Sequence, residues 1–236
     1  MQESVIPARF KVLSGSALKT IALVCMIIDH IAAHLSSNFA AVLFTVGSRA
    51  ITVYRIMRWI GRIAFPIYCF LIVEGVLHTK DRKKYALRLL IFAIISEIPW
   101  NLVHSMKLTY RSQNVFFTLF LGCLALILYE KFEGDRIKQI ICLLGLMVVS
   151  LILSADYGIT GYCMIILMYA LRENRLLQAV VGCSVLSSTW IAGLAFIPIN
   201  LYNSERGFIK GKVLQYCYYA IYPVHLFILY LIKRGM

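Results

Sequence analysis

The chain has 236 residues, 61% of them hydrophobic, with a mean hydropathy of +0.79. A soluble domain averages about 45–50% apolar residues, so this composition excludes an ordinary water-soluble globule and indicates a polytopic membrane protein. Only 15% of the residues are charged, yet the formal net charge is +13; that excess fits Lys- and Arg-rich cytoplasmic loops, lipid headgroups or a phosphorylated cofactor better than nucleic acid.

Nearly all of the chain lies in apolar segments, which predicts one membrane domain over 1–236. The seven cysteines are scattered one to a segment, with no CxxC or Cys/His cluster. They read as small buried apolar residues rather than disulfides or metal ligands.

Residues 1–12 form a short polar lead-in. Helix 1 is expected over about 17–35, long enough to be an uncleaved first span rather than a signal peptide. It carries Lys19, Asp29, His30 and His34. An aspartate at mid-membrane costs about 2.5–3.5 kcal/mol on insertion scales, so Asp29 either pairs quietly with an arginine or marks a buried site. Lys19 and His30 are eleven residues apart, close to three turns, and share one helical face about 16 Å apart along the axis. His34 follows one turn later on the same face, whereas Asp29 points toward another helix.

The stretch 36–56 is interrupted by Gly47 and Arg49 and reads as a partial or interfacial helix. Helix 2 is expected at 57–78, bent by Pro66, and helix 3 at 85–104 with Pro99, after the basic loop TKDRKKYALR. Helix 4 runs from about Gln113 to Tyr129, helix 5 over 137–154, and helix 6 over 158–171 after the tight turn Asp156-Tyr157-Gly158. Helix 7 follows at 176–198 and helix 8 at 213–232. The expectation is an all-α polytopic membrane bundle of about eight transmembrane helices. An even number puts both termini on one side. Counting Lys and Arg by loop gives fifteen on that side and nine on the other, which favours cytoplasmic termini at the plasma or inner membrane.

The buried polar inventory is Asp29, His30, Arg62, Glu74, Glu97, Asn101, His104, Asn114 and His225. Each has a structural explanation: Asn114 caps helix 4, Glu74 pairs with His78, and Arg62 snorkels to an interface. The tyrosines at 216, 218 and 219 form an aromatic belt. Together they offer a histidine base, carboxylates to orient it, and Arg or Asn to hold an oxyanion or phosphate. No metal-site, nucleophile-elbow or phosphate-loop motif is present. This inventory serves either an intramembrane enzyme or a proton-coupled transporter.

Six stretches resemble the TraX family of integral membrane proteins. They are LSGSALKTIALVCMIIDHIAAHL (13–35), IGRIAFPIYCFLIVEG (60–75), KKYALRLLIFAIISEIPWNL (83–102), QNVFFTLFLGCLAL (113–126), YGITG (157–161) and YCYYAIYPVHLFILYLI (216–232). TraX proteins are associated with N-terminal acetylation of a conjugative pilin in bacteria. They are similar to larger membrane acyltransferases, including the acyltransferase-three family and lysosomal heparan glucosaminide acetyltransferase. Those relatives carry a basic residue and a histidine with ten residues between them in their first helix, matched here by Lys19 and His30. The segment 36–56 matches poorly.

The resemblance implies acetyl transfer from cytoplasmic acetyl-CoA, as co-substrate, to an amine or hydroxyl of a peptide N-terminus, a sugar or a small molecule. His30 is the implied general base, with Asp29, Glu97 and His225 as further catalytic candidates. Glu74 or Glu97 is expected to fix the histidine tautomer. Lys19, Arg62, Asn114 and Tyr222 are expected on the acetyl-CoA side, with basic residues of the 80–88 loop, or Arg62, holding the phosphates and Asn114, Arg62 or Tyr222 as oxyanion donor; no metal is expected. A proton-coupled transporter, or a structural partner of a secretion or conjugation machine, are the competing readings.

Overall fold

A computed structural model describes residues 7–236. Helix α1, Gly15–His34, starts at Ser14, whose hydroxyl accepts from Ala17 N–H. A short 3-10 turn at Ser36–Phe39 leads into a two-stranded antiparallel hairpin, β1 Val42–Val46 and β2 Arg49–Thr52. This replaces the partial helix expected over 36–56. The β-branched residues Val42, Thr45, Val46, Ile51 and Thr52 favour extended backbone, and Gly47 takes φ +59° in the turn between the strands.

Helices α2, Val53–Arg62, and α3, Ala64–His78, form one pass of 26 residues. They part at Ile63. Pro66 has no N–H, and its ring clashes with the carbonyl four residues back, Arg62, so the helix breaks there. Then come α4, Arg82–Ser105, α5, Val115–Lys131, α6, Arg136–Leu153, and α7, Gly158–Ala170. Asp81, Asn114 and Asp135 cap α4, α5 and α6 with side-chain oxygens.

The segment expected as helix 7 does not cross. Helix α8, Arg175–Val185, ends after about 16 Å, half of a ~30 Å hydrocarbon layer. The chain then turns back through a 3-10 stretch to α9, Phe196–Asn200. Both arms begin and finish at the same end of the bundle: Arg175 lies 3.7 Å from Glu74, and Tyr202 pairs with Leu13. The arms close on Gly182, where an added Cβ would sit 2.1 Å from the Phe196 ring.

Helix α10, Lys212–Gly235, runs parallel to α1. Tyr218 meets Thr20, His225 meets His30, and Lys233 donates to Val103 O beside His104. Among the described residues the chain therefore makes seven end-to-end passes of the bundle plus one returning hairpin. The start of α1 and the end of α10 lie at opposite ends of the bundle, whereas an even number of passes would bring them to one end.

The core is built where α1, α3, α4, α5, α7 and α10 meet. Helix α6 lies outside it, with Ile137, Ile140, Ile141, Leu144 and Ile152 exposed. A face of that kind aggregates in water and is a lipid contact in a bilayer. Among the described residues, four segments are long and apolar enough to cross a membrane by length and composition alone: Gly15–His34, Val53–His78, Arg82–Ser105 and Arg136–Leu153.

Candidate active site

Four of the five histidines converge at the far end of α1. His30 Nδ1 lies 2.6 Å from His225 Nε2, and the rings stack at 4.9 Å. His34 is 6.1 Å from His30 and 4.6 Å from His104, ring to ring.

The hydrogen bonds fix the tautomers. His225 Nδ1 is 2.9 Å from Ile221 O. A carbonyl only accepts, so His225 Nδ1 carries the proton and, in the neutral ring, its Nε2 carries the lone pair. His30 Nδ1 must then donate to His225, which leaves a lone pair on His30 Nε2. One imidazole is thus held as an available base by a second imidazole and a backbone carbonyl, which are what a base needs for orientation.

Two cavities approach this centre from opposite ends. The larger, about 700 Å3, contains Lys19, Glu74, Lys80, Arg88, Arg206 and Lys212. Lys19 lies over the Tyr219 ring at 4.5 Å. Arg88 donates to Gln215, and its buried Nε has no hydrogen-bond partner among the described residues. The smaller cavity, about 370 Å3, contains His30, His34, Asp29, Arg58, Arg62 and Asp156. The two share Met26, Tyr68, Val115 and Tyr222.

Asp29 makes an ion pair with Arg58 at 2.6 Å. The contact depends on Gly61, one turn after Met57: a Cβ there would lie 2.1 Å from the Asp29 Cβ. Helices α1 and α2 therefore touch backbone to side chain, and Asp29 is held away from its neighbour His30. Its Oδ1 is buried without a hydrogen-bond partner among the described residues.

The other sequence candidates divide. His225 and Tyr222 join His30, and the Tyr222 hydroxyl is buried without a hydrogen-bond partner among the described residues. Lys19 lines the larger cavity. Arg62 does not accompany it; the α2 break leaves Arg62 in the smaller cavity with Asp156 and Tyr157. Glu97 and Asn114 bond to each other at 2.7 Å and line neither cavity. Asn114 also donates to Ala93 O and caps α5, so its amide is spent on helix packing. Glu74 faces His78 and Arg175 instead of a site histidine. The role expected of a carboxylate beside His30 is occupied by His225 and Ile221 O.

Sequence reasoning passed over Tyr68 and Met26, and took Arg58 only as one of four arginines around the start of helix 2, some of them candidates to enter a cavity. Met26 was discoverable: it precedes His30 by four residues and so shares its face. Arg58 and Tyr68 lie on other helices, and no local spacing links them to His30.

No solved structure is similar to this chain at a significant level. A probable fimbrial assembly protein FimC, serogroup H1, of Dichelobacter nodosus is 28% identical over 243 aligned positions, covering 92% of this chain and 94% of that protein. The family model described as TraX protein matches residues 14–233, which takes in both cavities and all four clustered histidines. The chain is a membrane protein and belongs to the TraX family.

Proposed function

We propose that this protein is a membrane-embedded acetyltransferase that moves an acetyl group from acetyl-CoA to an amine or hydroxyl acceptor, with His30 as general base. The observation that carries it is the meeting of two cavities, from opposite ends of the bundle, at four residues beside a base-competent imidazole. Donor and acceptor thus reach one point without sharing an entrance.

The larger cavity suits the donor. It is within the size range of cofactor sites, and Lys19, Lys80, Arg88, Arg206 and Lys212 outnumber its one carboxylate, Glu74. Phosphates bind such a rim. Lys80 and Arg88 belong to the 80–88 stretch expected to hold the phosphates, whereas Arg62, the other residue expected there, does not line this cavity. With α10 running parallel to α1, sixteen of the 24 Lys and Arg fall at the Lys19 end. The positive-inside bias then makes that end cytoplasmic, where acetyl-CoA is made, and places the smaller cavity toward the other face.

In the reaction, His30 Nε2 takes the proton of the acceptor amine or hydroxyl as its nitrogen or oxygen bonds to the thioester carbonyl carbon. Tyr222 Oη donates to the oxygen that becomes negative. The carbon–sulfur bond breaks, and His30 returns the proton to the departing thiolate. His225 holds the His30 ring throughout. An α-amine has a pKa of about 8, so a histidine can deprotonate it near neutral pH. The fimbrial relative supports a pilus or fimbrial subunit, modified on its N-terminal amine, as the acceptor.

Purified protein, acetyl-CoA and a short peptide with a free N-terminus should release CoA thiol and gain 42 Da on the peptide (one acetyl for one hydrogen, ~42 Da by composition). His30→Ala should reduce both to background. Turnover undiminished in His30→Ala moves the base elsewhere.

A proton-coupled transporter is the second reading, favoured by the run His225–His30–His34–His104. It predicts substrate flux in proteoliposomes with no dependence on acetyl-CoA.

A further inference from the structure

The partition between the cavities carries information about the acyl group. Met26, Tyr68, Val115 and Tyr222 line both sides of it. They come from α1, α3, the first residue of α5, and α10. Lys19 belongs only to the larger cavity and His30 only to the smaller. Met26 lies between them on α1, one turn before His30, and is 8% exposed.

Chemistry fixes where an acyl group must stop. The thioester carbonyl carbon has to come within bonding reach of the nucleophile that His30 deprotonates. The donor arrives through the larger cavity, so its acyl group ends at the partition. A two-carbon acyl fits such a stop. Each added methylene must displace a partition side chain or enter space the acceptor needs.

Of the four residues, Tyr68 and Tyr222 are rigid rings. Val115 is fixed by the adjoining Asn114 cap, which accepts from Phe116 N at 3.1 Å. Met26 is unbranched, and its three terminal heavy atoms are the adjustable part of the wall.

We propose that Met26, backed by Val115, sets the acyl-chain length, admitting acetyl and rejecting butyryl and longer chains. This rests on the acetyltransferase reading of the same site. One methylene too many in a closed apolar pocket costs roughly 10–200-fold, so a two-methylene difference should be plain.

The experiment is calorimetric binding of acetyl-, propionyl-, butyryl- and hexanoyl-CoA to the purified full chain in nanodiscs. Wild type should bind acetyl-CoA at least ~10-fold more tightly than butyryl-CoA, a step set by the methylene scale above. Met26→Ala removes three heavy atoms and should bring that ratio close to one. Met26→Phe should weaken propionyl-CoA further.

Equal binding of all chains by wild type overturns the proposal, as does an unchanged ratio in Met26→Ala that still binds acetyl-CoA. Should Met26→Ala not fold, Met26→Val and Val115→Ala remove less and carry the same expected direction. Wild type that binds no acyl-CoA at all contradicts the acetyltransferase reading itself, an outcome distinct from lost chain-length discrimination.

Discussion

His225 accepts a 2.6 Å hydrogen bond from His30 and donates one to Ile221 O at 2.9 Å. The pair occupies the place that a carboxylate and histidine hold in a catalytic triad, with a neutral imidazole as the orienting group. A neutral partner suits a membrane interior, because a buried carboxylate would need its own counter-charge.

That relationship makes His225 a positioning residue with a measurable signature. His225→Ala should lower kcat by about 10²–10⁴-fold, the span usual for general-base disruption, with little change in acetyl-CoA affinity. His225→Gln offers an amide oxygen to His30 Nδ1 and should recover part of the loss. Steady-state kinetics of the two variants check this; equal, wild-type rates in both would remove His225 from the mechanism.

Tyr222 presents a buried hydroxyl, with no hydrogen-bond partner among the described residues, where the two cavities meet. Tyr222→Phe keeps the ring and deletes the donor. Loss of one oxyanion donor costs about 10²–10³ in kcat, and KM for acetyl-CoA should hold. A rise in KM with unchanged kcat would make Tyr222 a binding group only.

The Asp29–Arg58 pair is expected to act on stability. Both side chains are mostly buried, at 13% and 23% exposed, so removing one partner strands a charge. Arg58→Ala should destabilise the protein by about 3–5 kcal/mol, while Asp29→Asn with Arg58→Gln should recover much of it. Thermal unfolding in detergent checks the cycle. Additive single effects would show that the pair is not coupled.

The parallel run of α1 and α10 predicts termini on opposite faces of the membrane. Epitope tags at the two ends, probed by protease on intact spheroplasts, should be cut at the C-terminus and protected at the N-terminus. Both protected, or both cut, would restore an even number of crossings.

The sequence made the membrane character and the helical class legible, because composition and apolar run length carry both. The shared face of Lys19 and His30 was legible from spacing within a single helix, and the structure places them in adjoining cavities of one helix face. What spacing cannot report is direction. The apolar run across α8 and α9 is long enough for a span, yet Gly182 accepts the Phe196 ring and the chain doubles back. That single reversal flips α10 and moves Lys233 beside Val103. Arg62 illustrates the same limit. It lies near Lys19 in no local sense, and only the break before Pro66 decides which cavity it lines.

The hairpin Val42–Thr52 was hidden for a different reason. Its short apolar run is compatible with helix or strand on periodicity alone, and the structure resolves it through pairing between neighbours rather than burial, since every β1 residue is exposed.

The central claim is that an acyl-CoA enters at the Lys19 end and reacts beside His30. Calorimetric titration of acetyl-CoA into wild type, Lys19→Ala and His30→Ala separates these two sites directly. Lys19→Ala should weaken binding, while His30→Ala should leave affinity within about two- to threefold, the usual context-dependent scatter of a non-contacting change. Absence of acetyl-CoA binding to the wild type, or equal binding in wild type and Lys19→Ala with loss in His30→Ala, would contradict the account.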